Sequence, residues 1–391
     1  MLRNSLALWR IREISPPFKQ VFSSRVLPGR AETSMLLQLQ NSDGISGWGE
    51  AIPCQQHNTE AAEITKNLRE ILPRLITFSY DSADNIDSSV TALTTWYRQK
   101  MENPRPLLAE IALLSSGLLD LLSREKGLSL VEMLGPMATE SIAYTPTIPL
   151  AGRGLALSML HTIAAQGYSS VKLAMGRDLE REMILLKEMV QRTGDSVSII
   201  VDFEGRLTAE TAPDIIEKLL NMDLRVVEQP LPADDLETIP ALMEAYQGEI
   251  SFILDQSVVT SQSLDWCMDH CPPGVVNLSI SKNGGFFTVG KLAKKAQKRN
   301  WQVALGSSPG ESSLLTAFTR ILAARHGTFI HHEGNFATQF LLSDITEAPL
   351  VPNEGGSGTL EVLRRNPGCG VTVAPELLRD ITKKSAETPF L

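Results

Sequence analysis

"SSVKLAMGRDLEREMILLKEMVQRTGDSVSIIVDFEG", residues 169–205, decides the fold. A short β-branched run through Met175 gives way to a segment, 178–193, whose apolar residues recur at helical spacing among charges. A second β-branched run ends in Asp202 and Phe203. Strand, amphipathic helix and strand in that order predict one βαβ unit of a parallel sheet. Two residues do not fit a plain core strand: Lys172, a cation among Val171, Leu173, Ala174 and Met175, and Asp202, an acid where the second run stops.

Outward from this stretch the rhythm repeats. From about residue 142 onward the runs "SIAYTPTI", "SSVKLAM", "SIIVDFEG", "LRVVEQPL", "SFILDQSV", "GVVNLSIS", "WQVALGSS" and "TFIHHEG" alternate with helical segments such as "TAETAPDIIEKLLNM". Roughly eight strands, each about 25–30 residues from the next, predict an α/β fold of the modified TIM-type (β/α) barrel kind. A doubly wound sheet is the alternative, disfavoured because no Gly-rich phosphate turn follows any strand. Residues before the barrel read differently: "SMLLQLQNSDGISGWGEAIP" alternates on both sides of Asp43-Gly44, the signature of an antiparallel hairpin. Helical segments follow it, and "NPGCGVTVAPELLRDIT" near the end is again strand and turn. The expected organisation is an α+β capping domain over 1–140, the barrel over 141–350, and a C-terminal segment, 351–391, returning to the capping domain.

The chain has 391 residues, 43% of them hydrophobic and 21% charged, the balance of a globular protein. A net charge of -9 leaves no basic stripe for phosphate backbones, so no nucleic-acid partner is expected. "MLRNSLALWRIREISPPF" is interrupted by charges and no later stretch is long enough to span a bilayer, which predicts a cytoplasmic protein without a membrane partner. Cys267 and Cys271 have helical i, i+4 spacing around His270. Structural zinc needs four ligands and no second pair is near, so two thiols facing a core is the competing reading.

In a barrel the C-terminal ends of strands share one mouth, and there the chain places Asp202, Glu228 and Asp255 on three successive strands. Converging carboxylates repel unless a cation sits among them, and three hard oxygens with water or substrate completing the shell suit Mg²⁺. The alternative is that each acid caps a helix or meets a lysine.

The motifs "VDFEG", "VEQPL", "LDQSV" and "NLSISKNGG", in that order after "VKLAMG", resemble the enolase superfamily, most of all its muconate lactonizing branch, which includes dipeptide epimerases and o-succinylbenzoate synthases. The likeness extends to "DGISGWGEAIP", "ALLSSGLLDLLSREKGLSLVEMLG", "GSSPGESSL" and "NPGCGVTVAPELL". It implies that Asp202, Glu228 and Asp255 bind Mg²⁺, that the metal holds a substrate carboxylate while an enolate-like intermediate forms, and that the protein is a homo-oligomer. It also implies two facing lysines, and at their positions this chain has Ala174 and Ser279. Lys172 matches the first lysine of the usual Lys-x-Lys; Glu204 stands where an asparagine is usual, and Gln256 where a glutamate often follows the third ligand.

The expectation is therefore a Mg²⁺-dependent isomerase or lyase of the mandelate racemase and muconate lactonizing type, acting on a small carboxylate with a non-standard acid/base set. A metal- or ligand-binding descendant without activity is the alternative, and an ordinary epimerase in a shifted strand register a third. Catalytic candidates are Lys172, expected to pair with Glu204 or a substrate oxygen, together with Glu204, Glu311 and His57. Substrate-binding candidates are Lys19, Arg25 and Ser279, with specificity expected in loops at roughly residues 16–30 and 52–60. Lys282 differs from Ser279 by an odd number, and strand alternation predicts that it points away from the mouth.

Overall fold

The computed structural model describes residues 6–19, 33–53, 59–149, 152–334 and 336–390. The chain starts in an antiparallel sheet made of β1 (Leu6–Ile14), β2 (Ser34–Asn41) and β3 (Ser46–Ala51). Asn41 shapes the β2–β3 turn: its side-chain oxygen accepts the N–H groups of Asp43 and Ile45 at 3.0 and 2.9 Å. Helices α1 (Ala61–Ile71), α2 (Ala83–Arg98) and α3 (Leu108–Glu125) follow. The sheet lies so close on α3 that a Cβ at Gly47 would fall 2.3 Å from the Leu121 nitrogen, and one at Gly49 2.3 Å from the Leu113 oxygen. Those two glycines are what permits the approach. Covered by the sheet on one side and by the barrel on another, α3 is buried along nearly all its length. Its Asp120 accepts the backbone N–H groups of Trp48 at 2.9 Å and Cys369 at 2.7 Å and pairs with Arg124 at 2.9 Å.

After α4 (Leu130–Leu134) and the short β4 (Ser141–Ala143), the repeating units begin with β5 (Thr147–Pro149) and α5 (Arg153–Ala165). They continue with β6 (Ser170–Ala174), α6 (Leu179–Thr193), β7 (Ser198–Asp202), α7 (Ala212–Leu220), β8 (Val226–Glu228), α8 (Thr238–Ala245), β9 (Ser251–Leu254) and α9 (Ser261–His270). The last units are β10 (Val275–Leu278), α10 (Gly285–Gln297), β11 (Gln302–Leu305), α11 (Ser313–His326) and β12 (Phe329–His332). Strands β5 to β12 pair in chain order as one parallel sheet, and the Thr145 N–H reaches the His332 carbonyl at 2.8 Å to join its two edges. The fold is thus the α/β barrel-like arrangement with an antiparallel capping lobe. β13 (Ser357–Thr359) pairs with β4, and β14 (Thr382–Pro389) runs antiparallel beside β1, giving the capping sheet the order β14-β1-β2-β3.

Ile200, Ile253, Val275 and Ala304, with Val226 against them, form a small apolar cluster of their own, separate from the main core between strands and helices. This cluster fills the barrel interior and floors the polar layer above it. No described helix is long and apolar enough to cross a membrane. Cys267 and Cys271 are buried free thiols, and burial pushes them up to about 12 and about 11, so both thiols are protonated as they stand, facing the core.

Candidate active site at the barrel mouth

Register places the site. Ala174 pairs with Asp202 and Asp202 with Glu228, so the ends of β6, β7 and β8 are level, while Asp255 follows directly on β9. Lys172 pairs with Ile200, one layer lower, and its long side chain rises into the acids. Its ammonium lies 2.6 Å from Glu333 Oε1, 3.1 Å from Asp202 Oδ2 and 3.3 Å from Glu228 Oε1. Asn277 on β10 ties the far side, its amide donating to Glu228 Oε1 at 2.7 Å and to Glu333 Oε1 at 3.1 Å. Lys282 donates to Asp255 Oδ1 at 2.5 Å and to the Asp255 and Asn277 carbonyls. Gln229, wholly buried, braces the third acid: its Oε1 accepts the Asp255 N–H at 2.9 Å and its amide donates to Ser257 Oγ at 2.8 Å.

Two of the sequence-based placements are corrected here. Lys282 reaches the mouth rather than the opposite face, because β10 stops at Leu278 and residues 280–284 form turns in which alternation no longer holds. Lys172 pairs with Asp202, Glu228 and Glu333, not with Glu204. β7 ends at Asp202; Glu204 has φ 49°, donates its N–H to Asp202 Oδ1 at 2.8 Å, and turns its carboxylate to Arg206. Gln229, at φ 33°, is a second left-handed residue at a strand exit, and such strain collects where structure is over-determined for function.

Ser279 helps to shape the turn after β10, its N–H on Asn283 Oδ1 at 2.8 Å and its hydroxyl accepting from the Lys282 N–H at 3.3 Å. Lys19 donates to the Thr338 carbonyl at 2.6 Å and lines a cavity of about 600 Å³ with Tyr144, Met159 and Gln339. His57 and Arg25 lie outside the described residues. Glu311 is buried in the loop after β11 and accepts the Ser308 N–H at 2.7 Å; burial, opposed by that bond, pushes its carboxyl up to about 8.

Sequence reading missed Glu333, Asn277, Gln229 and His331. Glu333 was signalled in the same way as the other acids, since it ends "TFIHHEG". His331 is half-buried on β12, and burial, reinforced by the Lys172 charge, holds its imidazole below the usual range.

Electrostatically the mouth is unbalanced. Asp202, Glu228, Asp255 and Glu333 face two cations, Lys172 and Lys282. Burial alone would lower the Lys172 pKa, but Glu228, Glu333, Asp202 and Asp255 outweigh it and hold the ammonium well above its usual range. Burial drives Glu228 well above the carboxylate range, and Lys172 only partly offsets this against the neighbouring acids. Among the described residues no group of three acids, histidines or cysteines is placed to hold a metal as it stands, and lysines contact the carboxylate oxygens instead. The donor set nonetheless fits a hard divalent cation: it offers carboxylate oxygens only, from four carboxyl groups set against two lysines.

Residues 155–377 match the family model described as enolase C-terminal domain-like. The chain is 23% identical over 346 residues to a hydrophobic dipeptide epimerase of Citrifermentans bemidjiense (strain ATCC BAA-1014 / DSM 16622 / JCM 12645 / Bem), covering 86% of this chain and 89% of that protein. Its structure is similar to that of muconate cycloisomerase from Pseudomonas fluorescens, with a TM-score of 0.82 at 18% identity over 97% of this chain and 99% of the other. N-succinyl Arg/Lys racemase from Bacillus cereus ATCC 14579 gives a TM-score of 0.82 at 16% identity, over 98% and 100%. With more than half its length matched by the family model and strand-end acids at the barrel mouth, the chain belongs to the enolase C-terminal domain-like family.

Proposed function

We propose that the chain is a Mg²⁺-dependent enzyme that binds a carboxylate substrate at the barrel mouth and isomerises, cyclises or eliminates it without a facing lysine pair. The observation that carries this reading is the excess of buried strand-end carboxylate over lysine at the mouth. Asp202, Glu228 and Asp255 are the residues that would hold the cation. When bound, it supplies positive charge for the carboxylate of the substrate as a neighbouring proton is removed. Lys172, fixed among acids that hold its ammonium well above the usual range, contributes positive charge at the mouth. Ala174 offers no titratable group. Proton transfer falls to other residues, of which Glu311, neutral at pH 7, is suited to donate and His331, neutral there too, to accept. Inverting a stereocentre needs a group on each face of the carbon. Ala174 and Ser279 provide neither, which favours isomerisation or elimination with one base over racemisation.

A second reading, a ligand-binding descendant without turnover, draws on the fact that each of the four acids already touches a lysine. Calorimetric titration with Mg²⁺ should show one ion per chain, and binding weakened at least about tenfold in Asp202→Asn and Asp255→Asn. Equal binding by the variants would remove the cation from the reading. If Mg²⁺ binds but dipeptides, N-acyl amino acids and hydroxy acids are all left unconverted, the second reading stands.

A further inference from the structure

Helix α11 carries an arginine in the middle of its buried length. Arg320 is 1% exposed and heads the fully buried side chains in volume. No aspartate or glutamate among the described residues pairs with it; its partners are neutral. Nε donates to the Tyr144 hydroxyl at 2.9 Å, Nη1 to the Thr359 carbonyl at 3.1 Å, and the guanidinium carbon lies 5.5 Å from the Tyr144 ring centroid. Nη2 has no hydrogen-bond partner among the described residues. A buried guanidinium with one nitrogen unmatched and no counter-charge is costly unless something else completes it. The surroundings are shaped to admit it: a Cβ at Gly358 would fall 2.8 Å from Arg320 Nε and 2.7 Å from the Tyr144 ring.

Arg320 lines a cavity of about 500 Å³ between α11 and the C-terminal segment. Leu350 and Val371 give it apolar walls, and the exposed Glu347 and Glu361 stand on its lining as well. We propose that this cavity binds a small monocarboxylate with an apolar body, its carboxylate seated on Arg320. The planar guanidinium matches a carboxylate in shape and charge. Apolar walls favour a hydrocarbon body; Arg365, also on the lining, pairs with Glu361 at 2.8 Å, which leaves Glu347 to disfavour a dianion such as phosphate. The volume is that of a small-molecule pocket. The site is separate from the mouth, since among the described residues neither Lys172 nor its acids line the cavity or bond to Arg320, and it does not depend on the activity proposed above.

The test uses the full chain. Benzoate is titrated by calorimetry and by thermal unfolding, with ionic strength held constant by chloride, and crystals are soaked in 4-bromobenzoate so that the bromine can be located by its anomalous signal. Expected are a saturable rise in Tm with benzoate, binding at least about tenfold weaker in Arg320→Met, and bromobenzoate with its carboxylate on the Arg320 guanidinium. Should Arg320→Met fail to fold, the soaked crystal of the parent decides alone. Benzoate affinity unchanged in Arg320→Met, bromobenzoate found only at the barrel mouth, or inorganic phosphate binding more tightly than benzoate would each overturn the proposal.

Discussion

Lys172 is the residue on which the mouth turns, because a single ammonium holds three buried carboxylates together. Replacing it by methionine leaves Asp202, Glu228 and Glu333 with no shared cation, and breaking a buried ionic cluster costs about 3–5 kcal/mol. Thermal unfolding of Lys172→Met should therefore begin well below that of the parent, and Mg²⁺ should restore more of the loss than it adds to the parent. An unchanged Tm would mean that the lysine does not hold the acids. That acids end β7 and β8 and follow β9 was legible in the sequence, because strand ends in a barrel face one volume. Which cation they meet was not. Alternation describes a side chain only while the chain remains a strand, and both misplacements, Glu204 and Lys282, lie just past a strand's last residue. The Lys172–Glu333 contact spans 161 residues and depends on how far β12 curls round to β6, which no local pattern encodes.

At the scale of elements, β3 and α3 show how close packing is written in small residues. Gly47 and Gly49 lie two apart, on one face of the strand, and each would drive a Cβ into α3 backbone. Backbone cannot step aside as a flexible side chain can, so Gly49→Ala should destabilise by about 1–3 kcal/mol or more in urea unfolding. Gly154→Ala, inside α5 where a Cβ would meet nothing within 4 Å, should leave stability unchanged or raise it by up to about 1 kcal/mol. Equal effects at the two positions would contradict the packing argument. The hairpin itself was plain from alternation around Asp43-Gly44. The reason for its glycines was not, because their partner surface, including Gly117, arrives from another element.

For the whole molecule, the joint between capping sheet and barrel has a pH dependence built in. Glu50 on β3 accepts the Ser312 and Leu315 N–H groups at 3.1 and 3.2 Å and hydroxyls from Ser34 and Ser312, so it sits on the N-terminus of α11. Burial, opposed by those serine bonds, pushes its carboxyl from 4.5 up to about 7, and burial takes Glu311 up to about 8. Both native carboxyls keep a proton that the unfolded chain releases near 4.5. The stability they contribute is complete below that value and is lost as pH rises through about 7 and about 8. Urea unfolding should lose a few kcal/mol between about pH 5 and about pH 9, and Glu311→Gln should flatten part of the decline. A parent profile that does not fall over this range would contradict the assignment. The sequence marked Glu50 only as part of a hairpin motif; its receiving helix lies 262 residues away. A similar distance governs how the molecule is made. β1 is flanked by β2 and β14, and Arg10 pairs with Glu387 across that seam, 377 residues apart. At ribosomal speeds of about 5–20 residues per second, β1 waits roughly 20–75 s for the strand that covers its open side. During that interval the nascent chain presents an unpaired strand edge, a template for pairing with another chain that only the arrival of β14 removes.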